Sequence, residues 1–201
     1  MQSDPRIALV DDDAAVRDSL KWLFASRGHS VATFDSAATL LADRDPSRFG
    51  CLVLDLRMPG MGGIELFQNL TVRGYCPPTV FLTGHGDVPQ AVAALKLGAV
   101  DFVEKPFDDN ALVSLVERCL TLDVERRGSY ERQCRIKERL ADLTPREQEV
   151  MKLFLDGKLN KQIADELDIS MKTVEVHRAR VLEKMGVKSA VELANLLKEL
   201  G

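Results

Sequence analysis

Cysteine and histidine are scarce in this sequence of 201 residues. The chain has four cysteines and three histidines, and no two cysteines form a Cys-x-x-Cys pair. A disulfide framework or a zinc site requires several such residues at short, regular spacing. We therefore expect reduced, mostly buried thiols and neither a disulfide nor a zinc site. The residues concerned are Cys51, Cys76, Cys119, Cys134, His29, His85 and His177.

Long apolar runs are also missing. No stretch approaches the roughly 18 apolar residues that a transmembrane helix requires. Residues 1–5 lack the basic start and the apolar run of a signal peptide. With 45% hydrophobic and 29% charged residues, the composition is typical of a soluble globular protein that can bury a core. We expect a cytoplasmic protein without a membrane partner.

The chain is long enough for two domains. Its net charge of −4 is distributed unevenly between its two parts. Residues 1–122 carry 11 Lys and Arg against 16 Asp and Glu, and residues 123–201 carry 16 against 15. Within the second part, positive charge is concentrated between Lys172 and Lys188, where five basic residues stand against two glutamates. Such a cluster favours an anionic partner.

The first part of the chain alternates short apolar runs with stretches of helical periodicity. The runs predicted to be strands are IALV, SVATF, CLVLDLRMPG, PTVFLTG and VDFVEKP. A stretch with the pattern of an amphipathic helix follows each of them. Because parallel strands need a helical crossover, this alternation predicts a doubly wound α/β sheet. We expect the flavodoxin-like strand order 2-1-3-4-5.

Polar residues stand at the carboxyl ends of the predicted strands. Asp11 and Asp12 follow strand 1, Asp55 follows strand 3, Thr83 follows strand 4 and Lys105 follows strand 5. Ligands of open α/β sheets bind at this edge, where the strand order reverses. Three converging carboxylates repel one another, and a hard divalent cation such as Mg²⁺ would relieve the repulsion. The alternative is that the acidic triplet is a solvated loop or a helix cap.

This constellation resembles the receiver domain of two-component response regulators over residues 5–122. The motifs VDDD, LDLRMPGMGG, TGHGD and EKPF occur in the order and spacing of that family. The resemblance implies that Asp55 accepts a phosphoryl group from a sensor histidine kinase. It also implies that Asp11, Asp12 and Asp55 bind Mg²⁺, or Mn²⁺ in its place, together with the backbone carbonyl of Arg57.

The resemblance further implies a switch beside the phosphoryl group. Thr83 and Lys105 contact the phosphoryl oxygens, and Phe102 turns inward when Thr83 moves. The peptide bond between Lys105 and Pro106 is cis in the family, which suits an X-Pro bond in a constrained turn. Such a receiver catalyses its own phosphorylation and dephosphorylation and is not an enzyme acting on an external substrate.

A charged segment, 123–139, follows the receiver and is predicted to be a largely helical linker. Its apolar residues are sparse, and Ile136, Leu140 and Leu143 recur at helical spacing. Gly128-Ser129 is expected to interrupt the helix. Two interpretations stay open: a solvated linker, or a stiff helix that relays or restrains the two domains.

Residues 140–201 are predicted to form a small all-helical domain with four helices. The first begins with Thr144 at the N-cap, Pro145 at the first helical position and Glu147 three residues after the cap, and it stops at Gly157. A short second helix, a tight connection and a basic third helix form a helix-turn-helix. A small helical bundle with a charged surface is the simpler alternative.

The segment resembles the LuxR-type DNA-binding domain over about residues 140–199, through LTPREQEV, NKQIADELDIS and KTVEVHRARVLEKMGV. The resemblance implies that base edges face Glu175, Val176 and Arg178, where Glu175 can accept from cytosine and Arg178 can donate to guanine. Phosphates are expected mostly at Lys161, Lys172, Thr173, His177, Arg180 and Lys184. The fourth helix would supply a dimer surface with Leu193, Leu196 and Leu197, although packing in the core is an equal alternative for Leu193.

Together the two resemblances indicate a transcriptional response regulator of the FixJ/NarL type, on the FixJ branch. Its expected partners are a sensor histidine kinase, double-stranded promoter DNA, RNA polymerase and, on phosphorylation, a second copy of the chain. Two alternatives stay open: a phosphorylation-independent regulator that acts through protein contacts, and a phosphatase-like enzyme with Asp55 as nucleophile. The enzyme would need an acid-base residue, for which His85 is the candidate.

Overall fold

The computed structural model describes residues 6–43, 45–84 and 88–200. The chain divides into two compact units, Met1–Arg127 and Gly128–Gly201, and each is described by itself. The division falls inside the segment predicted to be a linker. His85 lies outside the described residues, as does the Gly86 of its TGHGD motif.

A five-stranded parallel sheet forms the centre of the first unit. The strand order is β2-β1-β3-β4-β5, so the predicted fold is confirmed. The strands are β1 (Ile7–Val10), β2 (Val31–Phe34), β3 (Cys51–Asp55), β4 (Thr79–Thr83) and β5 (Asp101–Glu104).

Helices cover both faces of the sheet. They are α1 (Ala14–Ser26), α2 (Ala37–Leu41), α3 (Gly63–Arg73), α4 (Val88–Lys96) and α5 (Asp109–Ala141), with a 3₁₀ turn at Pro46–Arg48. The strands β1, β3 and β4 are buried along their whole length, as their continuous apolar runs predict. Successive residues of β3 point to opposite faces: Leu52 and Leu54 join one core cluster, and Cys51 and Val53 join the other.

Helix α5 is longer than predicted. It continues for 33 residues without a break at Gly128-Ser129, so the predicted interruption is wrong. A glycine inside a helix costs only about 1 kcal/mol relative to alanine, and its neighbours in the sequence are good helix formers such as Glu125 and Arg127. Despite this length, no helix in the described ranges is apolar enough over 18 residues to cross a membrane.

A buried carboxylate ties α5 to the amino-terminal edge of the sheet. Asp123 is 1% exposed and accepts hydrogen bonds from Arg6 (3.0 Å), Arg127 (2.9 Å) and the Tyr75 hydroxyl (2.7 Å). Burial, together with the bond to Asp123, raises the pKa of Tyr75. Arg127 also donates to the carbonyl of Phe49 at 2.8 Å, so the turn of the helix from Asp123 to Arg127 is fastened to the sheet edge.

The second unit is helical, as predicted. Its helices after α5 are α6 (Pro145–Leu155), α7 (Asn160–Leu167), α8 (Met171–Met185) and α9 (Ala190–Lys198). Thr144 and Glu147 form the predicted capping box at the start of α6, with Pro145 at the first helical position. Ser170 caps the start of α8, and Gly186 ends it in the left-handed conformation.

Candidate functional site

The carboxyl edge of the sheet brings together two aspartates and one lysine. Lys105 Nζ lies 2.8 Å from Asp11 Oδ2 and 2.6 Å from Asp55 Oδ1. Asp11 is 1% exposed and Asp55 is 8% exposed, because each stands where a buried strand reaches the edge. Lys105 therefore joins two carboxylates from distant parts of the sequence: Asp55 lies 50 positions before it and Asp11 lies 94 positions before it.

The contacts at this site shift the pKa values of Asp55 and Lys105. Burial, followed by repulsion from Asp11, raises the pKa of Asp55, although Lys105 and the amide of Arg57 oppose the rise. For Lys105 burial acts to lower the pKa, and the bonds to Asp11 and Asp55 outweigh it, so the pKa is raised. The lysine is therefore held in its charged form, beside an Asp55 carboxyl group whose burial favours the protonated form.

Backbone contacts fix the orientation of both carboxylates. The amide of Asp13 donates to Asp11 Oδ1 at 2.9 Å, and the amide of Arg57 donates to Asp55 Oδ2 at 2.7 Å. Arg17 on α1 donates to the carbonyl oxygen of Asp11 at 2.7 Å. Asp13 also caps α1 through the amide of Ala15. The acidic triplet therefore serves both as a helix cap and as part of the site.

Binding of a metal ion by Asp12 together with Asp11 and Asp55 stays a prediction. Asp12 is exposed, and within the described ranges no group of three His, Cys, Asp or Glu side chains is arranged to hold a metal ion. Asp12 directly follows Asp11, beyond the end of β1 at Val10. The donor set at the edge fits Mg²⁺, because the carboxylates of Asp11 and Asp55 are hard oxygen ligands and a cation would offset the cost of burying their charge.

The residues of the predicted switch lie next to the site. Thr83 ends β4, is buried and donates its hydroxyl to the carbonyl of Gly84 at 3.0 Å. Phe102 on β5 is half-buried and packs against one of the two core clusters. The peptide bond between Lys105 and Pro106 is cis, as the resemblance implies. The proposed movements of Thr83 and Phe102 stay predictions.

In the second unit, one face of α8 is open to solvent. Val174, Val181 and Met185 are buried in the core, which fixes the rotation of the helix. The exposed face opposite consists of Lys172, Glu175, Val176, Ala179, Arg180 and Glu183. Four of these were predicted as DNA contacts. Ala179 and Glu183 were not among the predicted contacts, although their helical spacing from the three core residues places them on the same exposed face.

Two of the basic residues predicted to contact DNA are engaged inside the unit. Arg178 donates to Asn160 Oδ1 at 2.9 Å, and Lys184 donates to Glu147 Oε2 at 2.6 Å. Lys184 and the capping bond to Thr144 lower the pKa of Glu147 to about 2. Thr173 and His177 are half-buried, whereas Lys161 on α7 is exposed. Contacts of these residues with DNA stay predictions.

The predicted dimer surface on α9 needs one correction. Leu193 is 0% exposed and belongs to the core of the second unit, so it cannot form part of a surface. It was expected to pack inward as an equal alternative, and that alternative is confirmed. Leu196 and Leu197 are half-buried against the same core, and Val191 on this helix is exposed.

Both units match known protein families. Residues 7–117 match the family described as response regulator receiver domain, and residues 141–197 match the family described as bacterial regulatory proteins, luxR family. The C4-dicarboxylate transport transcriptional regulatory protein DctR of Rhodobacter capsulatus is 48% identical over 192 residues, covering 94% of this chain and 98% of the relative. The transcriptional regulatory protein FixJ of Bradyrhizobium diazoefficiens is 44% identical over 201 residues, covering 100% of this chain and 98% of the relative.

Solved structures resemble the chain over its full length. The response regulator StyR has a TM-score of 0.78 at 46% identity and covers 98% of this chain and 100% of its own. Full-length FixJ from B. japonicum has a TM-score of 0.60 at 44% identity, and the match covers 100% of this chain and 98% of the FixJ chain. The first unit is therefore a receiver domain, and the second is a LuxR-type DNA-binding domain. The chain belongs to the response regulators that combine these two domains, and it is a transcriptional regulator.

Proposed function

We propose that Asp55 accepts a phosphoryl group from a sensor histidine kinase and thereby controls the binding of promoter DNA. The observation that carries the proposal is the pair of buried carboxylates, Asp11 and Asp55, on the single ammonium of Lys105. Asp55 stands at the open end of β3, at the edge where open α/β sheets bind their ligands. Phosphoryl transfer depends mainly on positioning and charge compensation, and both are present here.

The reaction follows from the contacts of Asp55. A carboxylate oxygen of Asp55 attacks the phosphorus of a phosphohistidine, the new O–P bond forms, and the N–P bond breaks as the imidazole leaves. The amide of Arg57 holds one carboxylate oxygen in place, and Lys105 compensates charge on the transferred group. Mg²⁺, held by Asp11, Asp12, Asp55 and the Arg57 carbonyl, would supply further charge compensation.

The phosphoryl group then acts as a switch, because it adds a charge of about −1.5 to −2 to the site. The hydroxyl of Thr83 donates to the adjacent backbone carbonyl of Gly84, and a phosphoryl oxygen can replace this acceptor at small cost. We infer that Phe102 follows this movement inward, since it is half-buried on the neighbouring strand. The movements of Thr83 and Phe102 would transmit the effect of phosphorylation from Asp55 to the surface of the domain.

The output is binding of double-stranded promoter DNA by the exposed face of α8. Lys172 and Arg180 supply positive charge on that face, and Glu175 and Val176 lie between them for base edges. Phosphorylation brings two chains together, so that two such helices bind a two-fold site and recruit RNA polymerase in the cytoplasm. Dimerisation doubles the phosphate contacts and strengthens binding by mass action.

Labelling with acetyl phosphate and Mg²⁺ tests the phosphoacceptor. Intact mass should rise by one phosphoryl group in the wild type and in Asp35→Asn, an exposed control at the end of β2, but not in Asp55→Asn. A chelator of divalent cations should abolish the labelling. A phosphoryl group on the Asp55→Asn variant, or no labelling of the wild type, would refute the assignment.

A further inference from the structure

We propose that Arg178 is a positioning residue of the DNA-binding helix and does not itself contact DNA. It holds α8 against α7 through Asn160 and against α6 through Phe154, and this fixes the angle at which α8 meets the bases. The inference rests on the proposed binding of DNA by α8. It replaces the expected contact of Arg178 with guanine.

The guanidinium of Arg178 is already occupied. Its Nη1 donates to Asn160 Oδ1 at 2.9 Å, and its Cζ lies 4.7 Å from the centre of the Phe154 ring. Phe154 is buried on α6, and Arg178 itself is half-buried. A hydrogen bond and a cation–π contact would both have to break before this side chain could reach a base.

The position of Arg178 on α8 agrees with this assignment. Val174 lies four residues before it and Val181 three residues after it, and both are fully buried. Residues at these spacings share one side of a helix. Arg180, in contrast, belongs to the exposed face and is the arginine of α8 that solvent reaches freely.

The amide of Asn160 has no competing role in capping. The residue before it, Leu159, donates its backbone amide to Gln162 Oε1 at 2.9 Å, so the start of α7 is capped without Asn160. The carbonyl oxygen of the Asn160 side chain can therefore accept from Arg178 in a fixed geometry. Asn160 contributes no charge, which separates its positioning role from any electrostatic attraction of DNA.

The location of this bond explains why it sets an angle. Asp168–Ser170 join α7 to α8, and Asp168 is in the left-handed conformation with φ of 52°. The turn fixes one end of α7, whereas Asn160 lies at its other end, about 10 Å away at 1.5 Å per residue. The buried residues of α8 hold it in the core, and a bond at the far end of α7 adds a restraint on the angle between the two helices that the short turn does not supply.

The test measures binding of the phosphorylated full-length chain to two duplexes, as a function of salt. One duplex is enriched from a random library by the wild type, and the other is a scrambled duplex of equal length. For Arg178→Ala and for Asn160→Ala we expect about a tenfold loss of affinity for the enriched duplex only. The double variant should lose no more than either single variant.

Salt dependence separates positioning from direct contact. Arg178→Ala should keep the wild-type slope of log affinity against log salt, whereas Arg180→Ala should reduce it by about 1.8 on both duplexes, which is about 0.9 for each chain of the dimer. Asn160→Asp keeps an acceptor for Arg178, so it should retain the wild-type ratio of enriched to scrambled affinity. Unchanged affinity for the scrambled duplex also shows that each variant is folded.

The opposite pattern would overturn the inference. If Arg178→Ala lowers the salt slope by about 1.8, or about 0.9 for each chain of the dimer, while Asn160→Ala binds like the wild type, Arg178 contacts a phosphate or a base directly. Failure of the wild type to enrich any duplex would overturn the proposed DNA binding by α8, and this inference with it. The two failures are therefore distinguishable.

Discussion

At the residue scale, long basic side chains serve two different purposes in this chain. Lys105 compensates two buried carboxylates at the sheet edge, and Lys184 on α8 compensates one, Glu147 on α6. A buried carboxylate without its partner is costly, because neither water nor another charge replaces the lost contact. Both lysines are therefore part of the folded structure before they take part in any function.

The Glu147–Lys184 pair makes stability depend on pH. The pKa of Glu147 is lowered from 4.5 to about 2 in the folded chain, so the pair stabilises the fold above pH 4.5. This contribution is lost as the pH falls through about 2, where the folded carboxyl takes up its proton. We expect Lys184→Met to lower the free energy of unfolding near pH 6 and to approach the wild type at low pH.

Urea unfolding followed by circular dichroism between pH 2.5 and pH 6, roughly the span over which the carboxyl titrates, measures this difference. Lys188→Met is the matched control, because Lys188 is exposed just beyond the same helix. A deficit of Lys184→Met that stays constant over the whole range would show that the pair does not titrate as described.

The sequence predicts some site residues better than others for a physical reason. Asp11, Asp55 and Lys105 could be found because the end of a buried strand fixes where its polar residue lies. Arg178, Lys184 and Leu193 could not be assigned, since a basic or apolar residue on a helix has the same local signal whether it faces solvent or the domain. Long side chains reach across several residues, and only packing decides their direction.

At the scale of the element, α5 shows why the predicted break at Gly128 failed. Local propensity disfavours glycine in a helix, but the cost is small against the contacts of the flanking turns. A Cβ built at Gly128 would lie 3.9 Å from the nearest atom, Arg132 Nη1, so the backbone there has helical geometry and room for a side chain. The glycine therefore weakens a helix that the surrounding sequence maintains.

Gly128→Ala should stabilise α5 by about 0.5 to 1 kcal/mol, because alanine loses less backbone entropy and meets no obstacle. Hydrogen exchange of the amides around position 128 would report the change. Gly157→Ala is the matched control of opposite sign, since Gly157 has a φ of 84° that disfavours a side chain. Faster exchange in Gly128→Ala would contradict this view of the helix.

The buried Asp123 should contribute more to the free energy of unfolding than any other single side chain of α5 that is tested beside it. Asp123→Ala leaves Arg6, Arg127 and Tyr75 without their common acceptor, and we expect a loss of about 3 kcal/mol in unfolding free energy. Tyr75→Phe removes one donor only and should cost about 1 kcal/mol. The exposed Glu125→Ala on the same helix should change stability by less than about 0.5 kcal/mol, and equal effects of all three would refute the network.

At the scale of the whole molecule, the chain combines a receiver domain with a LuxR-type DNA-binding domain. The order of elements and the strand order follow from sequence periodicity, because alternation of strands and helices permits few topologies. The contacts that hold each unit in its final geometry involve residues far apart in the chain, such as Asp55 with Lys105. Periodicity carries no information on such pairs.

The most direct measurement is the affinity of the full-length chain for its enriched duplex with and without acetyl phosphate and Mg²⁺. For the wild type we expect the phosphodonor to raise the affinity by about 5- to 150-fold, the usual range of coupling between two sites. Asp55→Asn should show no change, while Asp35→Asn should behave like the wild type. If Asp55→Asn responds as the wild type does, or if the wild type binds equally well without the phosphodonor, phosphorylation of Asp55 does not control DNA binding.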